Sequence, residues 1–197
     1  MMENRIVVID GNSLINRAYY AMQRPMITKE GLYTQGVYGF LNMLNKIKND
    51  YEPGYITIAF DLKAPTFRHK EYAEYKAGRK KMPPELAMQI PILKDVLRAM
   101  NIKLLEMEGF EADDIIEFLG TIAFAISGIR LASAKHFDWF GAIVIGFVTA
   151  VGGGTLRALL LDVPIFWMQA SRYIWCTLFA FVIVLFFKKY LVHLNNT

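Results

Sequence analysis

E-A-D-D-I-I-E-F-L-G-T-I-A-F-A, residues 111–125, begins with acidic side chains and ends in an uninterrupted apolar run. Residues 1–116 carry 16 Lys and Arg and 15 Asp and Glu, the charge density of a water-soluble domain. Residues 117–197 carry nine charges in all. A charge-rich chain folds by burying one face against water, whereas long uncharged runs are typical of membrane spans. We therefore expect two domains, 1–116 and 117–197, that fold in different solvents.

The overall composition averages over this change. The chain has 197 residues, is 54% hydrophobic and has a formal net charge of +4. That charge divides as +1 before residue 117 and +3 after it, which is too little to indicate nucleic-acid binding without local clustering. Cys176 is the one cysteine, so an intramolecular disulfide is excluded. The first residues lead directly into a strand pattern without the apolar stretch of a signal peptide.

The first domain shows an alternating pattern of strands and helices. Arg5–Asp10 and Tyr55–Asp61 are short β-branched runs that each end in an acid, and Ile102–Glu106 is a third strand candidate. Gly36–Lys48 has a helical apolar stripe, and a second helix is predicted from Pro84 to Met100. This order predicts an α/β fold with an incomplete parallel sheet and helices over its faces.

Acidic residues recur where these strands end and the next helix starts. Asp10 and Asp61 end two strands, and Glu111 and Asp114 lie three residues apart in a helical pattern, so all four are expected at one edge of the sheet. Mg²⁺ or Mn²⁺, which prefers carboxylate oxygens and water, would relieve their repulsion. Each acid alone is more typical of a turn or of the first turn of a helix than of a metal site.

Residues 63–81 form a basic segment interleaved with aromatic residues. The segment contains seven Lys and Arg but only two Glu, and three aromatic residues lie among them. Such a segment is typical of a surface that grips phosphates and stacks bases, although a solvated loop or helix is the alternative.

Five motifs in residues 2–116 resemble the 5′→3′ exonuclease domain of bacterial DNA polymerase I, in the flap endonuclease family. They are V-I-D-G-N-S-L-I-N-R-A-Y-Y-A, Q-G-V-Y-G-F, F-D-L-K-A-P-T-F-R-H, Y-K-A-G-R and G-F-E-A-D-D-I-I. The resemblance implies a two-metal phosphodiesterase that acts on DNA with a 5′ end or flap. It assigns the metal ligands to Asp10, Asp61, Glu111, Asp113 and Asp114.

The resemblance also assigns roles within the basic segment. Arg68 and Lys76 would be catalytic cations at the scissile phosphate, within a helical arch that threads the 5′ strand. DNA would be bound by Arg68, Tyr75, Lys76, Arg79, Lys80 and Lys81. The family continues with a T-A-D-K-D-like strand, a G-D-x-x-D-N motif and a helix-hairpin-helix element, and residues 117–197 contain none of these. We therefore expect little or no nuclease activity.

The second domain is predicted to contain three transmembrane helices, within Phe118–Ala134, Trp139–Leu161 and Tyr173–Phe187. Three consecutive glycines, Gly152, Gly153 and Gly154, weaken a helix, and broken backbone at membrane depth is tolerated where it lines a cavity. The alternative is close helix packing through small residues. Arg157 is likewise a pore-lining cation or an interfacial side chain.

Three segments of this domain resemble the first repeat of the bacterial TRIC-type cation channels, also called glycine-transporter-domain proteins. They are E-F-L-G-T-I-A-F-A-I-S-G, D-W-F-G-A-I-V-I-G-F-V-T-A-V-G-G-G-T-L-R and P-I-F-W. The resemblance implies a homotrimer in the lipid bilayer with a pore in each subunit. It also implies that a helix kink at Gly152, Gly153 and Gly154 faces this pore, together with Arg157. Ala158 replaces an Asp usual in the family, and a second inverted repeat is expected but does not follow.

The two resemblances meet without a Pro-, Gly- or Ser-rich linker, and each covers only part of its family's domain. The economical interpretation is a chimera of a polymerase-type exonuclease fragment and half a channel. One alternative is a membrane-anchored protein that binds nucleic acid without cutting it. Another is a small membrane protein whose helices oligomerise to complete a pore.

Overall fold

The computed structural model describes residues 5–22, 24–62, 82–169 and 171–193. Contacts between Cα atoms divide the chain into two compact units, Met1–Ile116 and Glu117–Thr197.

The first unit is built on a parallel sheet of three described strands. They are β1 (Ile6–Asp10), β2 (Tyr55–Ala59) and β3 (Lys103–Leu105), in the order β1-β2-β3. Ile58, in the middle strand, pairs with Ile9 on one side and Leu104 on the other. The predicted parallel sheet is confirmed, and its strands are slightly shorter than the apolar runs because pairing stops before each terminal acid of β2 and β3.

Four described helices connect these strands. They are α1 (Gly11–Ala21), α2 (Gln35–Tyr51), α3 (Pro84–Ala87) and α4 (Gln89–Ala99). The predicted helix from Pro84 to Met100 is two helices with a break at Met88. Pro91 explains the break, because it has no N–H to donate to a carbonyl one turn earlier.

Helix α1 was not predicted as a helix, and it follows β1 without a connecting loop. Gly11 allows this, because a Cβ at Gly11 would lie 2.5 Å from the ring of Phe60. Helices α1, α2 and α4 bury their apolar faces with β1 and β2 in one core. Its fully buried large side chains include Ile15, Phe40, Leu44, Ile58, Phe60, Leu86, Leu93 and Leu97. The carboxyl ends of β1 and β2 lie above this core and present Asp10 and the segment leading to Asp61.

The rest of the described chain is helical. Its elements are α5 (Ala112–Ala134), α6 (Trp139–Leu160), α7 (Phe166–Gln169) and α8 (Arg172–His193). Helices α5 and α6 are long and apolar enough to cross a membrane. Only 33% and 17% of their most apolar windows are buried, whereas the core helix of a soluble protein is mostly buried. The described apolar part of α8, Arg172–Phe186, is shorter than such a span, so the third transmembrane helix stays a prediction.

Helices α5 and α6 pack closely through glycines other than the predicted three. A Cβ at Gly128 would lie 2.5 Å from Oγ1 of Thr149, and a Cβ at Gly146 would lie 2.5 Å from Cγ1 of Ile129. Small side chains surround this contact, since Ala125 and Ala142 are buried with Ile129 in the core of the second unit. Close approach of two helices therefore takes place at Gly128 and Gly146.

The predicted break at Gly152, Gly153 and Gly154 is wrong. All three residues lie inside the continuous helix α6. A Cβ at Gly153 would meet no atom within 4 Å, and one at Gly152 would meet only Val148, at 3.8 Å. The flanking apolar residues keep the helix intact, because about 1 kcal/mol of lost helix propensity per glycine is smaller than the cost of unpaired backbone groups in an apolar setting.

Candidate metal and nucleic-acid site

The acids predicted from the sequence lie around the carboxyl edge of the sheet in the first unit. Asp10 is the last residue of β1, and Asp61 follows β2 after Phe60. The Phe60 N–H donates to the Leu105 carbonyl at 2.9 Å and so carries the pairing of β2 and β3 up to this edge. Glu111, Asp113 and Asp114 lie at the start of α5.

Asp10 is half-buried and joins the edge of the sheet to α1. Its carboxylate accepts from the Ser13 N–H at 2.9 Å and so caps the helix. Burial raises the pKa of the Asp10 carboxyl above its ordinary value, the Ser13 N–H lowers it, and repulsion from Asp113 and Asp61 raises it again. The carboxylates of Asp10, Asp61 and Asp113 therefore share one electrostatic environment; the strand-end pattern predicted the first two, and the family resemblance named Asp113.

Asp61 connects the end of β2 to the start of α5. Its Oδ1 accepts from the Ala112 N–H at 2.7 Å, a contact between residues 51 positions apart. The residue after Ala112 is Asp113, which has an exposed side chain. The hydrogen bond brings the first turn of α5 to the sheet edge, and this is how Asp113 comes near enough to raise the pKa of Asp10.

Glu111 and Asp114 are buried, at 6% and 7% exposure. Oδ2 of Asp114 accepts from the Glu111 N–H at 2.9 Å, so this carboxylate holds the chain at the entry to α5. The position agrees with the helix-start interpretation of a first-turn acid. The two residues were predicted to share a helix face, and the structure joins them by this hydrogen bond.

A preformed set of metal ligands is not found in the part of the chain that the structure describes, where no group of three or more His, Cys, Asp or Glu side chains could hold a metal ion. Asp10, Asp61 and Asp114 each direct an oxygen to a backbone N–H. The donor chemistry nevertheless suits Mg²⁺ or Mn²⁺, because carboxylate oxygens and water are the ligands that these ions prefer. A divalent cation would also relieve the repulsion felt by Asp10.

The basic segment lies outside the described residues. This applies to Arg68, Tyr75, Lys76, Arg79, Lys80 and Lys81, whose predicted roles stay predictions. The residues on either side of the segment, Leu62 and Met82, line a cavity of about 500 Å³ beside Asp61.

Two cations of α4 line the same cavity and were missed in the sequence. Lys94 and Arg98 are four residues apart, so they lie on one face of the helix. Lys94 is ion-paired with Glu106 and lies 4.9 Å from the centre of the Phe60 ring. Arg98 donates to Asp95 at 2.9 Å, with both side chains mostly exposed. Their four-residue spacing was the feature of the sequence that could have identified this pair of cations.

A buried amide that the sequence did not single out organises the start of α2. Gln89 is fully buried, and its Oε1 accepts from the Gly36 N–H at 2.7 Å and the Val37 N–H at 3.3 Å. Its Nε2 donates to the Glu85 carbonyl at 2.9 Å. Gln89 thereby supplies the helix cap that Thr34 does not make with its side chain.

In the second unit, Arg157 is exposed in the last turn of α6. Two residues earlier, Thr155 accepts a hydrogen bond from the indole N–H of Trp167 at 2.8 Å, and the Trp167 ring packs edge-on against Phe147 with centroids 5.2 Å apart. Helix α7 is therefore held against the glycine-containing end of α6.

Both resemblances drawn from the motifs are confirmed by comparison with known families. Residues 5–132 match the 5′-3′ exonuclease N-terminal resolvase-like domain, and residues 114–189 match the glycine transporter domain. The two matches overlap inside α5.

A DNA polymerase is among the relatives of this chain. DNA polymerase I of Bacillus caldotenax is 46% identical over 123 residues, which are 62% of this chain and 14% of the polymerase. The chain thus spans a small part of the relative that it matches.

Solved structures with local similarity include one for each half. A bacteriophage T5 flap endonuclease in complex with DNA and metal ions is 18% identical, with a TM-score of 0.40 over 61% of this chain and 44% of that chain. A TRIC trimeric intracellular cation channel orthologue from Rhodobacter sphaeroides is 36% identical, with a TM-score of 0.35 over 37% of this chain and 38% of that chain.

Proposed function

Since this chain belongs to the family of the 5′-3′ exonuclease N-terminal resolvase-like domain, we propose that its first unit binds DNA at a weak divalent-metal site without cleaving it. The second unit places the protein in a membrane. The observation that carries this proposal is α5, one continuous helix that starts with the site's acids and proceeds as a membrane-length apolar helix.

The proposed metal site uses the carboxylates that repel one another. Asp10, Asp61 and Asp113 would hold Mg²⁺ or Mn²⁺ with water completing the coordination, while Glu111 and Asp114 position the start of α5. A bound divalent cation would neutralise the acids and attract a phosphodiester. The residues after Ile116 are those of an apolar helix, and they supply none of the family's later acidic motifs. Binding is therefore proposed, and cleavage is not.

The absence of cleavage is tested with the full chain in detergent, a 5′-flap DNA and Mg²⁺. We expect no product above the level without protein, for the wild type and for Asp10→Ala alike. Turnover by the wild type that disappears in Asp10→Ala would overturn the proposal, because the carboxylate edge would then be a working nuclease site.

The basic segment 63–81 is proposed to carry DNA binding. Lys76→Ala and Arg79→Ala should each weaken binding of a labelled single strand and reduce the slope of log affinity against log salt by about 0.7 for each lost phosphate contact. Lys48→Ala, an exposed cation at the end of α2, is the matched control and should leave both quantities unchanged. Equal affinity and slope in the two segment variants and the wild type would refute this assignment.

A second candidate function is that of an oligomeric membrane channel built by the second unit. The specific support is α6, because only 17% of its most apolar window is buried. The rest of that surface is available to lipid or to further copies of the chain, and the resemblance to the TRIC channels implies a trimer. Gly153 and Arg157, four residues apart and so on one face of α6, would then face the conduction path. Liposomes containing the chain should show a K⁺ flux that Arg157→Ala alters. Liposomes without flux would exclude this function.

A further inference from the structure

A cavity of about 720 Å³ in the second unit lies at the end where α5 stops and α6 begins. Its wall is mostly apolar, with contributions from α5, α6 and α8 such as Ile126, Leu131, Ala142, Phe181 and Leu185. The volume is within the range of about 300–1,000 Å³ that is usual for ligand sites.

The polar groups of the cavity are few and lie near its helix ends. Arg130, one turn before the end of α5, lines it together with the hydroxyl side chains Ser127 and Ser133. Arg130 is only partly exposed. Asp138 also lines the cavity, but its Oδ1 accepts from the Gly141 N–H at 2.8 Å and so serves as the N-cap of α6. The ligand implied by this wall has an anionic group and an apolar body.

The surroundings add positive charge and interfacial aromatic residues. Lys135 is exposed in the turn after α5. Phe137 and Trp139 line the cavity and remain 54% and 69% exposed. Tryptophan at a helix end together with Lys or Arg is typical of the membrane–water interface, where lipid headgroups lie.

We propose that this cavity binds an anionic phospholipid, with its phosphate at Arg130, Ser127 and Ser133 and an acyl chain along the apolar wall. The guanidinium suits this role because it donates two parallel hydrogen bonds to a phosphate. An apolar wall next to one partly exposed cation fits a lipid better than a water-soluble anion, because such an anion would leave the apolar wall in contact with water.

Quenching of Trp139 by brominated lipids tests the proposal on the full chain in detergent micelles. Brominated phosphatidylglycerol should quench its fluorescence at a lower mole fraction than brominated phosphatidylcholine does. Trp139→Phe should remove this difference, while Trp167 and Trp175 provide the common background. Equal quenching by the two lipids would overturn the proposal, because the cavity would then accept any lipid chain. Displacement by glycerol phosphate alone would overturn it too, because a soluble anion would suffice.

Arg130→Gln should reduce the preference for phosphatidylglycerol by more than the roughly five-fold that one basic residue contributes at any anionic lipid surface, because it also removes hydrogen bonds to the phosphate. Lys135→Gln, the same charge change in the exposed turn, should have a clearly smaller effect. Arg130→Lys should keep part of the preference, which guards against a folding defect in Arg130→Gln. Equal losses in Arg130→Gln and Lys135→Gln would show general attraction to the interface and would refute the site.

Discussion

At the scale of single residues, the acids of the first unit combine two tasks that the sequence offered as alternatives. Asp10 caps α1 through Ser13, and Asp61 binds the Ala112 N–H, so both hold the fold together. Burial raises the pKa of Asp10, and repulsion from Asp113 and Asp61 raises it further. A helix cap and a metal ligand are compatible, because a carboxylate has two oxygens and each accepts more than one contact.

The raised pKa of Asp10 predicts a stability effect with a definite sign. A raised carboxyl pKa favours folding while the group is protonated, and this contribution is lost as pH rises from the ordinary value of 3.8 through the folded-state value. Asp10→Asn keeps an oxygen for the Ser13 N–H and removes the charge, so it should slow hydrogen exchange of the β1 amides at pH 7. The difference from the wild type should vanish below about pH 3.8.

Two controls bear on the Asp10 measurement. Asp50→Asn, at an exposed position near the end of α2, should change exchange little at either pH. Mg²⁺ should slow exchange in the wild type more than in Asp10→Asn, because the cation relieves a repulsion that the variant lacks. Faster exchange in Asp10→Asn at pH 7 would show that the charge itself stabilises the site.

At the scale of elements, the second unit is organised by the contact of α5 with α6. Gly128 and Gly146 let the two helices approach, whereas Gly153 faces open space and a Cβ at Gly152 would meet only Val148. The glycine run that stands out in the sequence is therefore not the one that determines packing within this unit. Its open face is consistent with the proposed contact to a conduction path or to another copy.

This difference predicts opposite outcomes for two substitutions in α6. Gly146→Val should destabilise the second unit by about 1–3 kcal/mol, since the added side chain collides with Ile129 and the Ala125 carbonyl. Gly153→Ala should be neutral or stabilise the helix by up to about 1 kcal/mol. Thermal unfolding of the full chain in detergent, followed by circular dichroism, measures both. Greater loss in Gly153→Ala than in Gly146→Val would contradict the observed packing.

At the scale of the whole molecule, the two halves make opposite demands on membrane insertion. Keeping residues 1–116 in the cytoplasm places Lys135 outside and, if α8 also spans, Lys188 and Lys189 with it. Arg157 and Arg172 then lie inside. The positive-inside rule favours the reverse orientation, with the three lysines in the cytoplasm. A folded water-soluble unit opposes that orientation, because it would have to be translocated.

We predict that expression of the chain gives mixed topology or rapid degradation. Labelling of Ser133→Cys and Asn196→Cys, each in a Cys176→Ala background, should give partial modification from both sides of the membrane. The Cys176→Ala protein without a new cysteine is the control for background labelling. One uniform orientation with stable accumulation would contradict this prediction, because the two opposing preferences would then not divide the population.

Much of this protein follows from local patterns in its sequence. The parallel sheet, the family that each half resembles and the apolar character of α5 and α6 were all predicted, because strand periodicity, motifs and hydropathy are properties of consecutive residues. The strand-end acids were placed near one another for the same reason, since parallel strands end at a common edge.

What the sequence did not reveal depends on contacts between distant residues. Gln89 caps α2 from 53 positions away, and Asp61 holds the Ala112 N–H across 51 positions. Gly11 is required by the ring of Phe60, and Gly128 and Gly146 by the close approach of α5 and α6. Side-chain packing in three dimensions selects these partners. At Gly152, Gly153 and Gly154, where propensity alone predicted a break, backbone hydrogen bonding in an apolar setting keeps the helix continuous.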